Sequence, residues 1–64
     1  MTAYNQAKKL ISSAIPVFRK FGYSDSEIKA GLEESIKLLK LSNLSEKTRN
    51  MLIKVIKEVK EEVR

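Results

Sequence analysis

The sequence has neither cysteine nor histidine among its 64 residues. This excludes a disulfide framework, a thiolate nucleophile, a zinc knuckle and an imidazole acting as general base. The serines and threonines therefore have no histidine to activate them, and no glycine-rich loop is present to hold a phosphate. Glu33 and Glu34 are neighbours that point to different faces of a helix. We predict a protein that is not an enzyme, with no catalytic residue, metal site or cofactor.

Long apolar runs are missing as well. No stretch approaches the roughly 20 apolar residues that a membrane-spanning helix needs. The first residues also lack the basic-then-apolar pattern of a signal peptide. Because a reducing compartment favours chains without disulfides, we expect a cytoplasmic protein that does not associate with membranes.

The length of 64 residues allows a single helical domain over residues 1–64. A chain this short buries only about 60% of its surface on folding, so its core is thin and self-association or a larger partner is expected. The formal charge of +5 favours acidic proteins, nucleic acid or anionic lipid as partners. Lys and Glu together make up 17 of the 64 residues. Such a high share of Lys and Glu is typical of hyperthermophile proteins, although short solvated helices have the same composition.

The first apolar pattern predicts a helix over about residues 3–21. Its apolar positions alternate in steps of three and four: Tyr4, Ala7, Ile11, Ala14, Phe18 and Phe21. Pro16 lies inside this seam, where it removes a backbone hydrogen bond and clashes with the carbonyl of Ser12, so it either kinks or breaks the helix. If Pro16 only kinks it, the heptad spacing would suit a homodimer.

The second helix is predicted over residues 24–41 from a capping box formed by Ser24 and Glu27. Gly22 precedes it as the C-terminal cap of the first helix. Tyr23 and Ile28 occupy the positions of a hydrophobic staple. Gly31 would permit a close approach by a neighbouring helix.

A third helix is predicted over residues 45–62, with Ser45 as its N-cap. Its apolar face consists of Leu52, Val55, Ile56, Val59 and Val63. Because the connections are short, the helices should run antiparallel. The predicted fold is therefore an all-α, small three-helix bundle.

Basic residues provide the first functional clue. Two pairs with a spacing of eleven each share a helical face: Lys8 with Arg19, and Lys9 with Lys20. Lys47 and Arg49 lie in the polar first turns of the third helix, as in a major-groove recognition helix. These six residues are candidate nucleic-acid contacts. The alternative is that they are ordinary solvated charges.

Apolar residues outside the predicted core provide the second clue. Leu10, Val17, Met51 and Ile53 fall beside the core faces and would be partly exposed in a monomer. They either widen a thin core or form a surface that binds a partner.

Residues 15–32 resemble a known family. Ile15–Tyr23 has the pattern I-x-x-Φ-x-x-Φ-G-[FY], in which Φ is apolar, and a capped acidic helix follows it. This stretch is similar to the first helix, loop and second helix of ubiquitin-associated (UBA) domains and of the related C-terminal domain of the branch-migration protein RuvA. The resemblance implies a three-helix protein-binding module whose partner face includes Phe21, Gly22 and Tyr23. The RuvA relatives further imply a nucleic-acid-processing complex.

The sequence thus predicts a non-enzymatic protein-binding adaptor or accessory subunit, with Val17, Phe21, Gly22 and Tyr23 as the protein-binding residues. A nucleic-acid-processing complex is one setting in which such a subunit could act. The alternative is a small basic DNA- or RNA-binding protein that uses a basic helical face. A purely structural role is also open for Phe21, as core, and for Tyr23, as staple.

Overall fold

The computed structural model describes residues 2–63, which form three α-helices. They are α1 (Ala3–Lys20), α2 (Asp25–Lys40) and α3 (Glu46–Glu62). The all-α three-helix fold is confirmed, and each helix lies within one residue of its predicted bounds. The described residues include no helix that is both long and apolar enough to cross a bilayer.

Local capping chemistry explains where the helices begin. The hydroxyls of Thr2, Ser24 and Ser45 accept hydrogen bonds from the backbone N–H three residues later. Each bond satisfies one of the N–H groups that the first turn of a helix leaves without a partner. The caps of α2 and α3 were predicted from sequence, and both are confirmed.

Pro16 lies within α1 without breaking it. The helix continues from Ala3 to Lys20 as one element, which excludes a separate short helix beginning at Pro16. One turn before the proline, the Ser13 hydroxyl donates a hydrogen bond of 2.7 Å to the carbonyl of Lys9.

The core lies on α3. Val55, Val59 and Val63 are almost completely buried and pack with Ile15 of α1 and Ile28 of α2. Around them lie the partly buried Tyr4, Ala7, Ile11 and Leu32. The apolar face of α3 is therefore covered from both sides, by α1 and by α2.

The heptad seam predicted for α1 is wrong in its second half. Phe18 is 44% exposed and Phe21 is 76% exposed, whereas Ile15 is buried. A strict seven-residue repeat drifts by about 20° per heptad around a straight helix. The side of α1 that meets α3 therefore includes Ile11 and Ile15. Phe18 and Phe21, the last two residues of the seam, point away from the core. Core packing of Phe21 is excluded.

The helices form a flat arrangement. The chain measures 34 × 27 × 17 Å, with a radius of gyration of 11.8 Å, against about 10.7 Å for a typical domain of this length. Its accessible surface is 4849 Å², whereas a chain of 7.3 kDa normally exposes about 4,200 Å². Both values follow from the weak contact between α1 and α2, each of which packs mainly on α3.

Candidate functional site: an apolar groove between α1 and α2

An apolar groove of about 500 Å³ separates α1 from α2. Its α1 wall consists of Leu10, Ile11, Ala14, Ile15 and Phe18. Its other wall consists of Tyr23, Glu27, Ile28, Gly31, Leu32 and Ser35, and Ile56 of α3 also lines it. A groove of this size and composition is within the range of ligand and partner sites in proteins.

Small residues on α2 leave this groove open. Gly31 and Ser35 line it at positions where a large apolar side chain would otherwise extend toward α1. A Cβ atom added to Gly31 would meet nothing within 4 Å, so the close helix approach predicted at this glycine does not form. The Ser35 hydroxyl donates to the Gly31 carbonyl at 3.0 Å and so remains against its own helix.

One end of the groove is closed by the turn between α1 and α2. Gly22 has a φ of +93°, a left-handed conformation that favours glycine. The N–H of Tyr23 donates to the Phe18 carbonyl at 3.1 Å, and the N–H of Gly22 donates to the Arg19 carbonyl at 3.0 Å. These two bonds define a Schellman motif. The predicted capping role of Gly22 is thereby confirmed.

The capping box fixes the acidic residue at this end of the groove. The N–H of Glu27 donates to the Ser24 hydroxyl at 3.2 Å, and the Ser24 N–H donates to a Glu27 carboxylate oxygen at 3.0 Å. The pKa of Glu27 is lowered below its ordinary value. The larger cause is the hydrogen bond from the Ser24 backbone, and the smaller is the hydrogen bond with the Ser24 side chain. A negative charge is therefore held at the rim of an otherwise apolar wall.

On α1 the apolar surface continues beyond the groove. Leu10 is 73% exposed, Val17 is 50% exposed and Phe21 is exposed as well. With Ala14 they recur in steps of four, three and four, which aligns them along one side of the helix. We call Leu10, Ala14, Val17 and Phe21 the α1 stripe, and the groove and the α1 stripe together the open face.

The structure brings three of the four predicted protein-binding residues to the open face. Val17 and Phe21 belong to the α1 stripe, and Tyr23 lines the groove with half of its surface exposed. Gly22 supplies the turn between them. Sequence reasoning missed the groove itself, since Phe18 was assigned to a continuous apolar seam on α1. The signal that could have found it is the pair of small residues on α2, Gly31 and Ser35.

The six candidate nucleic-acid contacts differ in their surroundings. The Nζ atom of Lys8 lies 3.4 Å from a carboxylate oxygen of Glu62, and the Nε atom of Arg19 lies 3.3 Å from a carboxylate oxygen of Asp25. Arg49 donates to the Ser42 carbonyl at 3.2 Å. The side chains of Lys9, Lys20 and Lys47 are exposed. Half of the set is therefore engaged within the chain.

A second group of charges lies where α2 meets α3. Lys29, Glu33, Lys57, Lys60 and Glu61 line a shallow depression there. Lys60 donates a hydrogen bond to Glu33, and this bond is the main cause that lowers the pKa of Glu33. The described residues contain no group of three potential metal ligands.

The part of the chain that the structure describes is thus an all-α fold of three helices with an open apolar face. Comparison with protein-family models, with curated proteins and with solved structures found no match to it.

Proposed function

We propose that the chain is a small non-enzymatic protein-binding module, an adaptor or accessory subunit, and that the open face is its contact surface. The observation that carries this proposal is the exposure of five large apolar side chains at or beside one groove. Leu10, Phe18 and Tyr23 line it, and Val17 and Phe21 lie on the α1 stripe. Apolar side chains scattered singly over a surface are normal, whereas a continuous patch around a groove is typical of a binding site.

The groove is suited to an apolar helical segment of a protein. Its walls are the apolar sides of α1 and α2, so the apolar faces of a partner's helices can pack over it as helices pack in a bundle. Phe18 and Tyr23 offer aromatic surface at one end, and aromatic anchors dominate the energetics of protein interfaces. A nucleic acid backbone would find few partners on these walls, because phosphates are bound by basic side chains and by N–H groups.

The experiment compares protein capture by matched variants. A tagged chain carrying Val17→Glu or Phe21→Glu places a charge on the open face, while Leu41→Glu places the same charge on a leucine that is 83% exposed outside it. We expect the wild type and Leu41→Glu to retain the same bound protein, whether this is another protein or the chain itself. We expect both open-face variants to lose it.

Nuclease treatment distinguishes the basic nucleic-acid-binding alternative. Capture through the open face should be unchanged after nuclease. If all capture depends on nucleic acid, or if Val17→Glu and Leu41→Glu capture equally well, the proposed function is wrong. In the first case Lys9, Lys20 and Lys47 become the residues to substitute, with salt dependence as the readout.

A further inference from the structure

We propose that the occupant of the open face is a second copy of this chain, in a two-fold symmetric dimer with its axis along the groove. The inference rests on the proposed function, because it names the partner of the same face. Two observations carry it: the surface that the monomer leaves exposed, and the opposite charges at the two edges of the open face.

The exposed area is suited to a dimer. The monomer exposes roughly 700 Å² more surface than a typical chain of its mass. A standard stable interface removes about 800 Å² from each partner. Covering one apolar face would thus bring the exposed surface close to the value expected for a compact protein.

The edges of the open face carry opposite charges. On the α2 side Glu27 lines the groove, and Glu34 follows seven residues later on the same side of the helix. On the α1 side Lys9 and Lys20 share a face beside the α1 stripe, eleven residues apart. All four side chains are exposed. The open face therefore has a basic edge on α1 and an acidic edge on α2.

These edges decide which two-fold axis is favourable. Two copies can face each other about an axis across the groove, which places α1 on α1 and lysine opposite lysine. They can also face each other about an axis along the groove, which places α1 of each copy on α2 of the other. Only the second axis sets each basic edge against an acidic edge, as a self-complementary interface requires.

The positions of the charged residues along the groove also agree with this axis. Lys20 and Glu27 lie close to the turn that joins α1 and α2, whereas Lys9 and Glu34 lie roughly two to three helical turns from it. A two-fold rotation about an axis along the groove leaves the distance of each residue from the turn, measured along the groove, unchanged. Lys9 then faces Glu34 of the second copy, and Lys20 faces Glu27. The dimer buries both α1 stripes between these two rows of ion pairs.

Analytical ultracentrifugation of charge variants at low salt tests the arrangement. Lys9→Glu alone, or Glu34→Lys alone, creates two like-charged pairs in the dimer, and we expect the dissociation constant to rise by about three- to tenfold. An equimolar mixture of the two variants restores both pairs in a mixed dimer, which should regain the affinity of the wild type. Glu27 is left unchanged because the capping box needs it.

The outcomes separate the inference from the proposed function. Tighter association of Lys9→Glu would indicate the other axis, and a mixture no tighter than its components would exclude the pairing; either result overturns the proposal. A wild-type chain that stays monomeric at the highest concentrations overturns it too. The proposed function still stands in these cases if Val17→Glu, and not Leu41→Glu, loses a different protein. Helical circular dichroism confirms that each variant is folded.

Discussion

Phe18 and Tyr23 pack edge to face, with their ring centroids 5.9 Å apart and their planes at 83°. Aromatic pairs favour this geometry because the positive edge of one ring meets the negative face of the other. The two residues are also the ends of the Schellman motif, where an apolar contact commonly accompanies the hydrogen bonds. One pair of side chains thus both stabilises the turn after α1 and forms the aromatic end of the groove.

The turn depends on the conformation of Gly22. Gly22→Ala should lower the free energy of unfolding by about 1 to 2 kcal/mol, because an L-residue is strained at a φ of +93°. Gly31→Ala is the matched control: it lies inside α2 with space around it, and should raise stability by about 0.5 to 1 kcal/mol. Urea denaturation followed by circular dichroism measures both. Equal effects would contradict the turn geometry.

The capping box makes a local contribution to α2. Ser24→Ala removes the hydroxyl that accepts from the Glu27 N–H, and should cost about 1 kcal/mol of stability. Ser26→Ala, two residues further on, changes an exposed serine beyond the cap and should alter stability by less than about 0.5 kcal/mol. Thermal denaturation of the two variants under identical conditions makes the comparison.

Acid should weaken the fold through Glu27 and Glu33. The pKa of each is lowered from an ordinary value of 4.5, by the Ser24 backbone for Glu27 and by Lys60 for Glu33. Since the folded pKa lies below the unfolded one, this stability is present above pH 4.5 and is lost as the pH falls through the lowered values.

The double variant Glu27→Gln/Glu33→Gln should therefore show a smaller loss of stability between neutral pH and pH 3 than the wild type. Urea midpoints measured across this range provide the test, and an equal pH dependence in the two proteins would refute the assignment.

The core should be intolerant of truncation. Val59 has no exposed surface, so Val59→Ala removes two buried methyl groups and should cost about 2 kcal/mol. A chain of this length has a total stability of roughly 3 to 10 kcal/mol, so a large part would be lost. Val17→Ala makes the same change on a half-exposed residue and should cost less than about 0.5 kcal/mol in the monomer. Chemical denaturation at low concentration keeps any dimer out of the comparison.

Pro16 should limit the stability of α1. Pro16→Ala supplies the N–H that a proline lacks and lets the Ser12 carbonyl receive its usual bond, which should stabilise the protein by about 1 to 3 kcal/mol. Ser13→Ala, nearby on the same helix, should change stability by only a few tenths of a kcal/mol. A midpoint of Pro16→Ala at or below that of the wild type would show that the neighbouring structure depends on the proline.

Local signals in the sequence were read correctly. Ser24, Glu27, Gly22 and Ser45 act through atoms three or four residues away, so their roles could be predicted without tertiary structure. The partial exposure of Leu10 and Val17 was predicted as well. Phe21 was assigned to the α1 seam, and that assignment failed, because which face of a helix meets its neighbour depends on how the helices cross.

The sequence by itself determined three helices and their bounds, the N-caps of α2 and α3, and the absence of cysteine and histidine chemistry, since each of these depends on residue type and short-range spacing. The tertiary structure alone decided that α1 and α2 pack on α3 and not closely on each other. The physical reason is that the fully buried valines of α3 provide apolar surface for both helices, while Gly31 and Ser35 offer α1 little to pack against. The open face results from this packing of α1 and α2 on α3.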